Sequence, residues 1–108
     1  MKQIPSEPNV EILDRLFELI NRRRGGDTVS SYTAKLFEAG TAHIAQKVGE
    51  EAIETVIEAL KTDGQKLAEE SADLLYHLLV LWSDQGIQPK DVWAVLNERF
   101  GKSGLDNK

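Results

Sequence analysis

The chain has 108 residues, of which 41% are hydrophobic and 29% charged, and its formal net charge is −5. This length suits one small domain over residues 1–108, which buries a limited share of its surface and leaves oligomerisation open. The absence of cysteine excludes disulfides, thiolate metal sites and thiol nucleophiles, and the negative charge argues against nucleic acid or an anionic membrane as a partner.

The sequence also lacks the features of a membrane or exported protein. No apolar run reaches the ~18–20 residues that a membrane span needs. The N-terminal residues Met1-Lys2-Gln3-Ile4-Pro5 lack the apolar core of a signal peptide. We therefore expect a cytoplasmic protein.

The first third of the chain predicts one long and one short helix. Apolar residues recur at helical spacing from Val10 to Ile20, with Asn9 as the expected N-cap and Gly25-Gly26 as the stop. Residues 27–31 indicate a loop. A short helical stretch over residues 34–39 follows and ends at Gly40.

Three longer helices are predicted in the rest of the chain, at about residues 42–62, 65–84 and 89–100. Thr41 is expected to cap the first of them, and Pro89 suits the first turn of the last. Residues 1–8 and 102–108 are expected to be flexible. No strand alternation is present, so the predicted class is all-α, an antiparallel bundle of about four main helices with short connections.

Two acidic signatures lie on consecutive predicted helices. They read Glu50-Glu51-x-x-Glu54 and Glu69-Glu70-x-x-Asp73. Residues three apart share a helix face, so four carboxylates converge if the two helices pack side by side. Like charges held together need a counter-charge, and for ligands that are all oxygen this is usually Mg²⁺, with Mn²⁺ as a possible substitute.

The second of these helices is apolar around most of its circumference, which is typical of a buried helix. A narrow polar strip interrupts the leucines and contains Glu70, Asp73, His77 and Asp84. This strip is expected to face an internal cleft or a partner helix. His77 suits a ligand, an acid or base, or a core histidine bonded to the aspartate. The run Arg22-Arg23-Arg24 suits phosphate binding, but equally the C-terminus of the first helix.

Carboxylates that bind Mg²⁺ suit the hydrolysis of a phosphoanhydride. The cation keeps several waters, binds substrate phosphates and can activate a water for in-line attack. The sequence contains no Gly-rich phosphate loop of the P-loop type. Phosphates are therefore expected to bind through the metal and through Arg and Lys side chains.

Three segments carry a resemblance to a known family, together with Gly40-Thr41. They are SYTAKL at 31–36, KVGEEAIET at 47–55 and EESADLLYHLL at 69–79. Over roughly residues 10–100 the chain resembles the phosphoribosyl-ATP pyrophosphatases, of the all-α nucleotide pyrophosphohydrolase (MazG-like) superfamily. The acidic pairs alone indicate only the superfamily, and the other segments narrow it to this family.

The resemblance implies Mg²⁺-dependent hydrolysis of phosphoribosyl-ATP to phosphoribosyl-AMP and pyrophosphate, the second step of histidine biosynthesis. It also implies a homodimer whose bundle is completed by the second chain, with a site near the interface. The implied metal ligands are Glu51, Glu54, Glu70 and Asp73, and Glu50 and Glu69 are candidates for a base or a supporting residue. The implied substrate contacts are Arg22, Arg23, Ser31, Tyr32, Lys35 and Lys47.

Two other functions fit the sequence. The acidic pairs also suit a housecleaning enzyme of the same superfamily that hydrolyses noncanonical nucleoside triphosphates, although the segment Ser31-Tyr32-Thr33 argues against it. The leucine-rich helix predicted at about residues 65–84, together with Trp93, would also suit a non-catalytic dimerisation module. In that case the carboxylates would form a solvated face.

Overall fold

The computed structural model describes residues 7–102, and every regular element in that range is a helix. The five helices are α1 (Glu11–Arg23), α2 (Tyr32–Ala39), α3 (Thr41–Ala59), α4 (Gly64–Asp84) and α5 (Pro89–Arg99). The all-α prediction is confirmed, and the short stretch proves to be a full helix. Residues 1–8 and 102–108, which were predicted to be flexible, lie outside the described residues, except for residues 7, 8 and 102.

Helices α3 and α4 form an antiparallel hairpin. Residues 60–63 connect them, and the Asp63 side chain caps α4 by accepting hydrogen bonds from the backbone N–H groups of Gln65 and Lys66. At the opposite end, the Thr41 hydroxyl donates to the Asp84 carboxylate at 2.6 Å. The two acidic signatures therefore lie side by side on neighbouring helices.

Helix α4 is packed against α1, α2 and α3, and the core lies along these contacts. The largest fully buried side chains include Ile20 of α1, Leu36 of α2 and Ile44 of α3. They pack with Leu79 and Val80 of α4, which are also fully buried. Each such side chain contributes roughly 1.5–3 kcal/mol when removed from water. The burial of these residues therefore stabilises the packing of α4 against α1, α2 and α3.

Helix α5 packs against the end of this core through an aromatic pair. The rings of Trp82 and Trp93 meet edge to face, with 6.1 Å between their centroids. Gln88 and Asp91 form a capping box at its start, and Pro89 occupies the first turn as predicted.

The helix starts differ in detail from the sequence predictions. Asn9 accepts a hydrogen bond from the Glu11 N–H at 2.8 Å, but the N-cap position itself is Val10. The prediction that Thr41 caps α3 is wrong, because Thr41 is the first helical residue and its hydroxyl bonds Asp84 instead. The cap position is Gly40, whose φ of 99° suits glycine.

The second half of α3, together with its C-cap residue Leu60, carries an exposed apolar stripe, the α3 apolar stripe. It consists of Ile53, Val56, Ile57 and Leu60, which are 62%, 60%, 43% and 84% exposed. The spacing i, i+3, i+4, i+7 puts these four residues on one helix face. Within residues 7–102, no helix is both long and apolar enough to cross a membrane.

Candidate active site

Three carboxylates meet between α3 and α4. Glu51, Glu70 and Asp73 each place one carboxylate oxygen so that the three atoms lie within 4.8 Å of one another. We refer to these three residues as the carboxylate cluster. Glu51 and Glu70 are half-buried and Asp73 is exposed, so the cluster lies at the edge of the groove between the helices. The acidic spacing in the sequence predicts that four carboxylates converge here, and these are three of the four.

The surroundings of Glu70 in the carboxylate cluster disfavour its ionised form. Burial raises its pKa above the ordinary value, and the neighbouring charges of Asp73, Glu51, Glu54 and Glu58 raise it further. Its Oε2 atom is buried and has no hydrogen-bond partner among the described residues. A buried carboxylate oxygen among like charges fits a cation, and a donor set made only of oxygen suits Mg²⁺ or Mn²⁺.

The other acidic residues of the two signatures lie around the carboxylate cluster. Glu54 is exposed and stands outside the group of three atoms, although its charge acts on Glu70. Glu50 accepts a hydrogen bond from Gln46 at 2.9 Å, and this bond, followed by one from Lys47, lowers its pKa. Glu69 similarly accepts from Gln65 at 3.1 Å. Glu50 and Glu69 are therefore already paired on their own helices.

Lys47 brings positive charge to the carboxylate cluster. Its ammonium nitrogen lies 3.2 Å from Glu50 and 3.8 Å from Glu51. The hydrogen bond with Glu50 raises the pKa of Lys47, burial opposes this, and Tyr32, Glu50 and Glu51 add smaller favourable electrostatic contributions. Lys47 thus keeps its charge at neutral pH, and Tyr32 of α2 lies close enough to influence it.

Sequence reasoning missed Thr55 as a residue of this region. Its hydroxyl donates to the Glu51 carbonyl oxygen at 2.8 Å and lies 3.3 Å from the Glu70 carbonyl oxygen. Thr55 therefore joins α3 to α4 at the level of the carboxylate cluster. A threonine four residues after a glutamate has the spacing for the first bond, but only the packed hairpin shows the second.

Glu58 was also missed as a site residue. One of its carboxylate oxygens lies 3.3 Å from Lys61, whereas the other is buried without a hydrogen-bond partner in the described part of the chain. Its charge contributes to the raised pKa of Glu70. The position of Glu58 one helical turn after Glu54 is the signal that could have found it.

A polar aromatic group borders the carboxylate cluster on the α2 side. The Tyr32 hydroxyl lies 3.1 Å from His77 Nε2, and the Tyr32 and Tyr76 rings stack with 6.2 Å between centroids. The Tyr76 hydroxyl hydrogen-bonds Thr33. His77 is buried, and its other ring nitrogen lies 2.7 Å from the Asp73 carbonyl oxygen. Of the possibilities for His77, the structure shows a core histidine bonded to the backbone of Asp73.

The remaining predicted substrate residues lie at the end of α1 and at the start of α2. Ser31 is the N-cap of α2 and accepts a hydrogen bond from the Ala34 N–H at 3.0 Å. Arg22 and Arg23 are exposed in the last turn of α1, and Lys35 is exposed on α2. Within residues 7–102, the structure gives Arg22, Arg23 and Lys35 no contact with the carboxylate cluster.

The third arginine of the run has a structural role. Arg24 donates to the Ser83 backbone oxygen and hydroxyl, and its guanidinium lies 4.7 Å above the Phe37 ring. It ties the end of α1 to α4 beside a cavity of about 310 Å³.

The sequence model of the phosphoribosyl-ATP pyrophosphohydrolases matches residues 13–100. That range contains the whole carboxylate cluster and every helix apart from the start of α1. The chain belongs to the phosphoribosyl-ATP pyrophosphohydrolase family.

Curated relatives of this pyrophosphohydrolase agree with the assignment. The chain is 59% identical over 97 residues to the phosphoribosyl-ATP pyrophosphatase of Azospirillum brasilense, covering 90% of this chain and 87% of the relative. It is 55% identical over 98 residues to that of Paramagnetospirillum magneticum, covering 91% and 90%. It is 52% identical over 101 residues to that of Rhodospirillum rubrum, covering 94% and 86%.

Membership of the pyrophosphohydrolase family confirms the resemblance stated above and the prediction that the chain is an enzyme. The non-catalytic dimerisation module is therefore excluded as its function.

Proposed function

We propose that this pyrophosphohydrolase hydrolyses phosphoribosyl-ATP to phosphoribosyl-AMP and pyrophosphate, the second step of histidine biosynthesis, in the cytoplasm. The observation that carries the proposal is the family match over residues 13–100, because this match spans all three residues of the carboxylate cluster. The names of the relatives, at 52–59% identity, support the same substrate.

The proposed cofactor is Mg²⁺, with Mn²⁺ as a substitute. The carboxylate cluster would hold it, and Glu54 would complete the ligand set by a change of side-chain conformation. The raised pKa of Glu70 and its unpaired buried oxygen support this assignment. When bound, such a cation supplies charge neutralisation for the phosphates and a more acidic water.

The chain's own residues would then divide between binding and support. Lys47 holds a positive charge beside Glu51 and suits contact with a phosphate oxygen. Glu50 has a lowered pKa, so it is a weak proton acceptor and is better suited to holding Lys47 in place. Arg22, Arg23, Ser31, Tyr32 and Lys35 remain proposed substrate contacts.

The proposed assembly is a homodimer formed through the α3 apolar stripe. Ile53, Val56, Ile57 and Leu60 present one continuous apolar face to solvent in the single chain. Exposed contiguous apolar surface of this kind marks an interaction site. A second copy of the chain offers the same apolar stripe, so that two α3 helices could bury both and complete a bundle beside the carboxylate cluster.

Release of pyrophosphate from phosphoribosyl-ATP by the purified protein tests the function. We expect release with Mg²⁺ and none after EDTA, and slower hydrolysis of canonical and noncanonical nucleoside triphosphates. Preferential hydrolysis of noncanonical triphosphates would instead support the housecleaning enzyme. A folded, helical protein that releases no pyrophosphate from phosphoribosyl-ATP would overturn the proposed substrate.

A further inference from the structure

Both ring nitrogens of the buried His77 are engaged. Nδ1 lies 2.7 Å from the Asp73 carbonyl oxygen, and a carbonyl oxygen only accepts, so Nδ1 carries a proton. In the neutral ring the other nitrogen, Nε2, is then an acceptor. It lies 3.1 Å from the Tyr32 hydroxyl. With the ring neutral and protonated at Nδ1, the Tyr32 hydroxyl therefore donates a hydrogen bond to Nε2 of His77.

The surrounding rings hold this arrangement in place. His77 is only 6% exposed, and the Tyr76 ring meets it edge to face with 4.9 Å between centroids. The Tyr76 hydroxyl is in turn hydrogen-bonded to Thr33. Rotation of the imidazole would break its bond to the Asp73 carbonyl oxygen. The direction of the Tyr32 hydroxyl is thus set by a rigid, buried partner.

Tyr32 itself is 51% exposed and interacts electrostatically with Lys47, whose ammonium nitrogen lies 3.8 Å from Glu51 of the carboxylate cluster. Because the hydroxyl hydrogen of Tyr32 is used in the bond to His77, the Tyr32 oxygen can only accept hydrogen bonds from other groups. Such an oxygen pairs with a hydroxyl or N–H donor. It does not pair with an ionised phosphate oxygen, which is itself only an acceptor.

We propose that His77 is a positioning residue for phosphoribosyl-ATP hydrolysis, which holds the Tyr32 hydroxyl as an acceptor for a ribose hydroxyl of the substrate. This inference rests on the proposed function and deepens it. It assigns Tyr32 to the sugar portion of the substrate, and leaves the phosphates to Lys47 and the bound cation. His77 acts through Tyr32 and does not touch the substrate.

Three single variants and one double variant of the full chain separate this role from a structural one. Tyr32→Phe keeps the stacked ring and removes the hydroxyl. His77→Asn keeps an N–H that can reach the Asp73 carbonyl but removes the acceptor for Tyr32. His77→Gln can return an amide oxygen to the position of Nε2. Steady-state kinetics with Mg²⁺ and thermal melting would be measured for each variant and for Tyr32→Phe/His77→Asn.

We expect Tyr32→Phe and His77→Asn each to raise KM by about 2- to 10-fold, the loss of one hydrogen bond, with a smaller change in kcat. The double variant should raise KM no further than the larger single effect, because both changes remove the same contact. His77→Gln should return KM towards the wild-type value. A purely structural histidine would lower the melting temperature in both His77 variants without this KM pattern.

Multiplying effects in the double variant, or an unchanged KM in folded His77→Asn, would overturn the inference. If His77→Asn does not fold, Tyr32→Phe and His77→Gln decide the question. A wild-type KM in Tyr32→Phe overturns the inference. A raised KM in Tyr32→Phe together with a near wild-type KM in His77→Gln supports it. Wild-type protein without turnover of phosphoribosyl-ATP overturns the proposed function itself. That outcome differs from an active enzyme in which Tyr32→Phe leaves KM unchanged, which overturns only the role of His77 and Tyr32.

Discussion

The Thr55 hydroxyl lies 3.3 Å from the Glu70 carbonyl oxygen while it donates to the Glu51 carbonyl oxygen at 2.8 Å. It therefore joins the backbones of two members of the carboxylate cluster across the α3–α4 hairpin. Thr55→Val keeps the shape of the side chain and removes the hydroxyl. We expect a weakening of Mg²⁺ binding by about 10-fold, as for residues that orient metal ligands, measured from the Mg²⁺ dependence of the melting temperature.

Thr55→Ser is the matched control, because it retains the hydroxyl and should bind Mg²⁺ nearly as well as the wild type. Equal Mg²⁺ affinity in Thr55→Val and Thr55→Ser would show that the bond between the helices does not support the carboxylate cluster.

The raised pKa of Glu70 predicts an unusual pH dependence of stability in EDTA. Between the unfolded value, near 4.5, and the higher folded value, the folded state binds more protons than the unfolded state. The stability contributed by Glu70 therefore falls as pH rises through this window and stays low above it. Glu70→Gln should melt at a higher temperature than the wild type at pH 8 in EDTA, and the difference should vanish near pH 4.

Addition of Mg²⁺ should reverse this order. The wild type should gain melting temperature by binding the cation, whereas Glu70→Gln should gain little. Its kcat/KM should fall by more than the roughly 10- to 100-fold typical of residues that only support a ligand. Glu98→Gln on α5 controls for net charge. If it reproduces the stabilisation in EDTA, repulsion within the carboxylate cluster is not the cause.

The bond between Thr41 and Asp84 predicts the opposite pH dependence. The hydrogen bond from Thr41 lowers the pKa of Asp84 below its ordinary 3.8. Burial opposes this effect, whereas a hydrogen bond from Gln85 and the charge of Arg24 lower the pKa further. A lowered folded pKa stabilises the protein above pH 3.8, and this stability is lost as pH falls through the folded value. Thr41→Val should cost about 1 kcal/mol at pH 7, since Asp84 is partly exposed.

Urea unfolding at pH 7 and pH 3 measures this loss, which should shrink at the lower pH. Thr41→Ser keeps a hydroxyl and should retain most of the stability at pH 7. A loss in Thr41→Val that is equal at both pH values would mean that packing of the side chain, and not its bond to the carboxylate, stabilises the hairpin.

The α3 apolar stripe predicts that a single charge should disrupt the proposed dimer. Ile57→Glu would place a carboxylate in the middle of the face formed with Ile53, Val56 and Leu60. Burying it without a partner is costly. Sedimentation at micromolar concentration should give a dimer for the wild type and a monomer for Ile57→Glu.

Val29→Glu is the control for this substitution, because Val29 is 92% exposed in the loop before α2 and lies outside the α3 apolar stripe. It should sediment as the wild type does. A wild-type protein that is monomeric at these concentrations would rule out the proposed dimer.

Much of the fold was predictable because the helical periodicity and its stop signals are strong. The short helix α2 was only partly predicted, since its N-cap is Ser31 and it starts two residues earlier than expected. The cap at Thr41 was predicted wrongly for a physical reason. Its hydroxyl finds a carboxylate partner 43 residues away in Asp84, and a local pattern contains no information about that partner.

In the candidate site, too, local spacing predicts which residues come together, but not the hydrogen bonds between distant parts of the chain. The acidic spacing predicts that four carboxylates converge, and three of them do: oxygens of Glu51, Glu70 and Asp73 lie within 4.8 Å of one another, whereas Glu54 lies outside this group. Their role as metal ligands stays a prediction. The bonds from Thr55 to Glu70 and from Tyr32 to His77 depend on how α2, α3 and α4 are rotated against each other. Periodicity predicts which face is buried, but not which polar atoms meet there.

The connection of only residues 60–63 between α3 and α4 makes the carboxylate cluster a local feature of the chain. Closing such a short loop costs little entropy, so Glu51 and Glu70 meet as soon as the hairpin forms. Repulsion between them then opposes the formation of the hairpin itself. A cation that relieves this repulsion should therefore speed the folding of this enzyme as well as stabilise its final state.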